Sequence, residues 1–179
     1  MAVQIGARPD SGFDDPIGML KDCHRRIERF LDILVRVARQ AQGRALNSEE
    51  HSAIEAALHY FGESGPRHTM DEEESLFPKL REIGADAVLE KVQKLESEHG
   101  EAGAIHDEVE QLYLKWSAEN GLSSDEGVRL IAITGKLQQL YKGHIQIEEE
   151  LVFPFAAEQL DRSTVAAMGV EFKARRDKK

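Results

Sequence analysis

One pattern occurs twice in this chain: His68-Thr-Met-Asp-Glu72-Glu-Glu-Ser-Leu-Phe77-Pro78 and, 76 residues on, His144-Ile-Gln-Ile-Glu148-Glu-Glu-Leu-Val-Phe153-Pro154. Both copies read His-x3-Glu-Glu-Glu-x2-Phe-Pro. Residues four apart share one face of a helix. Each copy therefore aims an imidazole and a carboxylate the same way, one turn apart. Two such helices facing each other would share a pair of metal ions.

The rest of the chain supplies the helices. Asp15-Pro16 reads as a cap followed by proline at the first helical position. The first helix is expected over about 16–42, stopping at Gly43, with an inward stripe of Ile17, Leu20, His24, Ile27, Leu31, Leu34, Ala38 and Ala41. Steps alternating three and four mark the buried seam of a bundle helix. Asn47 and Ser48 can cap the second helix, over about 49–83, with His68 and Glu72 in its stripe. Pro66 predicts a bend or break there, and Pro78 a second disturbance. Asp86 can cap the third helix, over about 87–119, with His99 and His106 in its stripe. The fourth opens with the capping box Ser123-x-x-Glu126 and carries Tyr141, His144 and Glu148 inward. No strand pattern is present. The predicted fold is all-α, an antiparallel up-down-up-down four-helix bundle with a short C-terminal helix. Residues 1–13 read as a flexible lead-in, 14–160 as the bundle, and 161–179 as a short helix with a basic tail.

Counting residues back from each turn, at about 1.5 Å of rise per residue, puts His24, His68, Glu72, His99, His144 and Glu148 at one height in the core. A lone seam histidine is usually a satisfied core residue. Six polar groups at one level in four seams reverse that reading, since burying them uncompensated is very costly. Imidazole and carboxylate suit iron, manganese or zinc. His106 lies two turns beyond His99, too far to share its ion, and reads as a core histidine or one that supports the site from behind its ligands. Glu73, Glu74, Glu149 and Glu150 are expected to be solvated. The Tyr141 hydroxyl either touches the site or packs in the core. Cys23 reads as an inert buried thiol.

Composition excludes other classes. A net charge of −10 disfavours nucleic acid, and the cluster Lys173, Arg175, Arg176, Lys178, Lys179 reads as a solvated tail. A single cysteine allows no intrachain disulfide, and no stretch resembles a signal peptide or membrane span. A cytoplasmic location is the default. The oligomeric state is expected to be monomer or homodimer.

His24, His68-x3-Glu72, His99 and His144-x3-Glu148, in that order, resemble the hemerythrin-like HHE cation-binding family. The two Glu-Glu-Glu-x2-Phe-Pro blocks look like that family's signature, and Met168-Gly-Val-Glu-Phe-Lys-Ala-Arg-Arg176 resembles the closing segment of bacterial members. The resemblance covers about residues 14–176. It implies a four-helix bundle around a non-haem centre of two iron ions with oxygen bridges. His24 and His68 would serve one iron, His99 and His144 the other, and Glu72 and Glu148 would bridge; zinc or manganese could use the same donors. Oxygen-carrying hemerythrins have a fifth histidine, in a His-x3-His pair on the third helix, where this chain has Gly103. Their fourth helix has His-x4-Asp in place of His144-x3-Glu148. The departures imply a less nitrogen-rich centre with a free coordination position. The pattern also resembles the di-iron domains of bacterial nitrosative-stress and iron–sulfur-repair proteins.

The expected function is thus a di-iron protein that binds or reacts with oxygen, nitric oxide or peroxide. The alternative is an iron or oxygen sensor without turnover. A ferritin-like oxidase would need two Glu-x-x-His motifs, and only Glu96-Ser-Glu-His99 is present.

Overall fold

The computed structural model of the protein describes residues 10–177. The expected lead-in falls partly, and Lys178 and Lys179 wholly, outside these residues. The described residues form helices joined by short turns, without strands. The first rod is α1 (Pro16–Ala41). The second is α2 (Ser48–Met70), a π-helical turn (Asp71–Leu76) and α3 (Phe77–Ile83). The third is α4 (Asp86–Glu119). The fourth is α5 (Ser124–Ile147), a π-helical turn (Glu148–Val152) and α6 (Phe153–Gln159). A last helix, α7 (Arg162–Asp177), closes the chain.

The ends are set as the sequence dictates at three of four starts. Asp15 accepts the Gly18 N–H at 2.9 Å, ahead of Pro16. Asn47 with Glu50 and Ser123 with Glu126 form capping boxes. The exception is α4: Asp86 is its first residue rather than its cap, and Ala85 caps without a side-chain bond. There Asp86 acts through its charge at the positive helix end. Helix α1 ends at Ala41, one residue short of the expected Gln42, which is itself in the left-handed region at φ 48°.

Short connections make successive rods antiparallel. The α1 rod packs on α2 and α5, and α4 packs on α5. Two apolar clusters fill the interior. One runs from Ile27 to Tyr113 and Trp116, and the other gathers Leu20, Phe77, Val92, Phe153 and Phe172. Between them lies a buried polar layer containing His24, His68, Glu72, His144 and Glu148. The Tyr113 hydroxyl donates to the Leu34 carbonyl and the Trp116 indole N–H to the Arg44 carbonyl, both at 2.7 Å.

Pro66 does not interrupt α2. A β-carbon before a proline clashes with the ring in helical backbone. Here the preceding residue is Gly65, which has none. The interruption falls at the two π turns instead, each immediately before a Phe-Pro pair. Phe77 N–H bonds back to the Glu72 carbonyl and Phe153 N–H to that of Glu148, five residues each. The proline that follows lacks the donor needed to resume the α ladder, and starts a new helix where none is required.

Within the basic end Lys173 is exposed as expected, but Arg175 and Arg176 are not free in solvent. Arg175 donates to Asp71 Oδ1 and Arg176 to Asp71 Oδ2, each at 2.7 Å, and Arg175 also reaches Ser75. Both arginines are partly buried, and Asp71 is fully so. The described part of the lead-in is pinned as well: Ser11 N–H donates to Asp22, and Arg26 to Asp10. Gly169 lets the Phe13 backbone approach α7, since a β-carbon there would meet the Phe13 carbonyl at 1.9 Å. Replacing Arg175 and Arg176 together by alanine strands Asp71 as a buried, unpaired charge. The expected cost is about 3–5 kcal/mol in urea-induced unfolding.

Candidate metal centre

The structure brings all six predicted residues together. They form two adjoining groups, His24–His68–Glu72–Glu148 and His99–His144–Glu72–Glu148, whose donor atoms lie within 4.8 Å of one another. Glu72 and Glu148 belong to both groups. Glu72 Oε1 is 3.3 Å from His68 Nε2, and its Oε2 is 3.3 Å from His99 Nε2. Glu148 Oε1 is 3.3 Å from His144 Nε2, and its Oε2 is 3.1 Å from His24 Nε2. Each carboxylate thus turns one oxygen to each group. Across the layer the imidazoles pair as His24 with His68, centroids 5.0 Å apart, and His99 with His144, 4.7 Å apart.

The π turns account for the rest of the repeated motif. A π turn closes a five-residue hydrogen bond, which keeps Glu72 and Phe77, five apart, both inward. The Phe77 ring stacks on His99 and the Phe153 ring on His24. The residue after each bridging carboxylate is used too. His99 Nδ1 donates to Glu73 Oε1 at 2.7 Å, and His24 Nδ1 donates to Glu149 Oε1 at 2.9 Å. This corrects the expectation that Glu73 and Glu149 are free in solvent; only Glu74 and Glu150 are exposed. His144 Nδ1 donates to Glu98 at 3.1 Å. With the proton on Nδ1, each of these rings presents the lone pair of Nε2 to the centre, the tautomer a metal requires. The two motifs exchange services: the α2 motif steadies His99 of α4, and the α5 motif steadies His24 of α1.

His68 lacks such a partner, its Nδ1 being buried without a hydrogen bond. By the chain's internal two-fold repeat, Glu98 beside His99 corresponds to Cys23 beside His24. At this position in sequence the chain has a thiol in place of a carboxylate. The Cys23 thiol is buried, and that burial pushes its pKa up. This accords with an inert group.

Electrostatics expose the need for cations. Burial and the neighbouring Glu148 push the Glu72 carboxyl well above its usual range. Burial also raises Glu148, but the imidazoles of His144 and His24 close beside it overcome that and hold the carboxyl low. Burial drives His68 well below the usual imidazole value, with His24 adding to the effect, so its ring is neutral. Neither Glu72 nor Glu148 oxygen has a hydrogen-bond donor, and His24 Nε2 also lacks a partner. Such orphans are rare in folded proteins. Cations at about 2.1 Å from nitrogen and oxygen donors satisfy them, so the donor set fits a pair of metal ions.

The hemerythrin HHE cation binding domain family matches residues 15–156. The chain belongs to that family. An uncharacterized protein of Haemophilus influenzae (strain ATCC 51907 / DSM 11121 / KW20 / Rd) is 27% identical over 172 residues, covering 93% of each chain. The hemerythrin fold here leaves a gap between two of its rods. Gly62, Gly65 and Gly103 border a cavity of about 420 Å³ between α2 and α4, which reaches His99. A β-carbon at any of the three would meet nothing within 4 Å. Gly103, four residues beyond His99, thus leaves space beside the centre. His106 and Tyr141 line the same cavity, with His106 Nε2 and the Tyr141 hydroxyl hydrogen-bonded at 3.1 Å. Among the described residues, no helix is long and apolar enough to cross a membrane.

The orienting carboxylates are testable on their own. Glu73→Ala and Glu149→Ala are each expected to weaken metal binding by about 10–100-fold, read by competition with a chelator. Glu74→Ala and Glu150→Ala are expected to leave it unchanged.

Proposed function

We propose that this hemerythrin-domain protein holds two iron ions and uses them to bind or react with oxygen, nitric oxide or peroxide, in oxidative or nitrosative stress. His24 and His68 would hold one ion, His99 and His144 the other, and Glu72 and Glu148 would be shared between them. The reading is carried by the buried convergence of donor atoms without protein partners at this layer. Iron is favoured over zinc or manganese by the family resemblance, since all three suit these donors. When bound, iron supplies coordination of small molecules and one-electron chemistry. The chain's own groups fix the centre. Glu73, Glu98 and Glu149 hold the imidazole protons on Nδ1, Phe77 and Phe153 restrict ring rotation, and apolar clusters pack above and below the layer.

The deciding experiment is optical titration of anaerobically iron-loaded protein with oxygen, nitric oxide and peroxide. Visible bands that change with at least one of them support the reading. A loaded protein whose spectrum responds to none contradicts it.

A sensor reading is favoured by one observation. Arg175 and Arg176 of α7 grip Asp71, the residue directly before Glu72. A change in how Glu72 is held passes through one peptide unit to the C-terminal helix. Protease cleavage within α7 is expected to be slower in loaded than in metal-free protein. Equal rates would remove this reading.

A further inference from the structure

We propose that the cavity between α2 and α4 is a binding site for an uncharged phenol of one or two fused rings, seated beside the metal centre. This goes beyond the small-ligand reading above, because the occupant is an organic molecule bound by the protein walls.

Size is the first argument. An apolar cavity of about 150 Å³ already admits a benzene ring, and this one measures about 420 Å³. A diatomic molecule would leave most of it unfilled. The volume lies in the range of small-molecule sites, about 300–1,000 Å³.

The walls supply the chemistry. Leu34, Leu58, Phe61 and Val109 make an apolar lining, with Phe61 and His106 rings 4.7 Å apart and tilted by 45°. Such faces favour a flat aromatic guest in offset or edge contact. The polar pair on this lining is His106 with Tyr141, bonded to each other at 3.1 Å. Burial lowers the His106 imidazole to about 4, so its ring is neutral at pH 7. A neutral imidazole and a phenol hydroxyl together offer both an acceptor and a donor, which matches a guest hydroxyl group. Asp107 and Glu110 also line the cavity and are exposed. Their carboxylates, on a chain of net charge −10, repel an anionic guest. The far end is His99, so a bound ring lies next to a residue of the centre.

The test uses 2-naphthol with the metal-loaded full chain, read by its fluorescence. Saturable binding at one molecule per chain is expected. Naphthalene should bind more weakly, and 2-naphthoate should not bind. Gly103→Leu and Gly62→Leu each place a side chain into the cavity from a different helix. Both are expected to abolish 2-naphthol binding while metal content and helical circular dichroism stay as in the parent. Tyr141→Phe should weaken 2-naphthol by about three- to ten-fold, the loss of one neutral hydrogen bond, and leave naphthalene unchanged. Absence of saturable binding overturns the proposal. So does binding that survives both leucine substitutions, or 2-naphthoate binding as tightly as 2-naphthol. Optical responses to oxygen or nitric oxide are read separately, so either proposal can fail without the other.

Discussion

Glu72→Gln is expected to abolish binding of both metal ions, not one, and at the same time to stabilise the metal-free protein. The carboxylate is fully buried and turns one oxygen toward His68 and the other toward His99, each 3.3 Å away. An amide of the same shape offers only one oxygen, so at least one group of donors loses an anionic member. Both groups also lose the charge that offsets two cations. Loss of a carboxylate that touches the ions should exceed the roughly 10–100-fold typical of residues that only orient ligands. In the metal-free chain the sign reverses. Burial and Glu148 make the ionised form of Glu72 unfavourable, and an uncharged amide removes that penalty. Thermal unfolding of parent and variant, each with and without metal, should show the order cross. A variant less stable than the parent in both states would contradict this account of Glu72.

Stripping the metal from the parent protein should give the largest single loss of stability. A site absent from the unfolded chain makes binding energy into folding energy. Metal at a thousand times its dissociation constant contributes about 4 kcal/mol per site. For a chain of this size about 1 kcal/mol shifts the melting temperature by roughly 2–4 °C. Two occupied sites therefore imply a fall of roughly 15–30 °C on chelation. The effect should be reversed by restoring metal. It should be nearly absent in Glu72→Gln, which has no ions to lose.

The bundle was legible because a period of three and four is a property of each helix alone. Stripes such as Ile27–Leu31–Leu34 need no knowledge of their neighbours. The level of the six polar residues followed from the same local counting. What the sequence hid depends on pairs of helices. Glu73 and Glu149 looked like solvated members of an acidic run because an ideal α-helix would turn them away from the seam. The π turns and the placement of His99 and His24 on other helices bring them into use. The identical repeat of three glutamates followed by Phe-Pro was the available signal, since solvated carboxylates have no reason to recur at one spacing. Pro66 was misread because its cost depends on the residue before it, and Gly65 removes the clash. The C-terminal arginines looked like a tail for want of a partner. Asp71, more than a hundred positions away, can be matched to them only once α7 has folded back.

The central claim is that two copies of one motif, with His24 and His99, make a centre for two ions. Its most direct test is the metal content of the protein after anaerobic loading with ferrous iron and removal of the excess. Two iron ions per chain are expected. One ion or none at saturation would contradict the account.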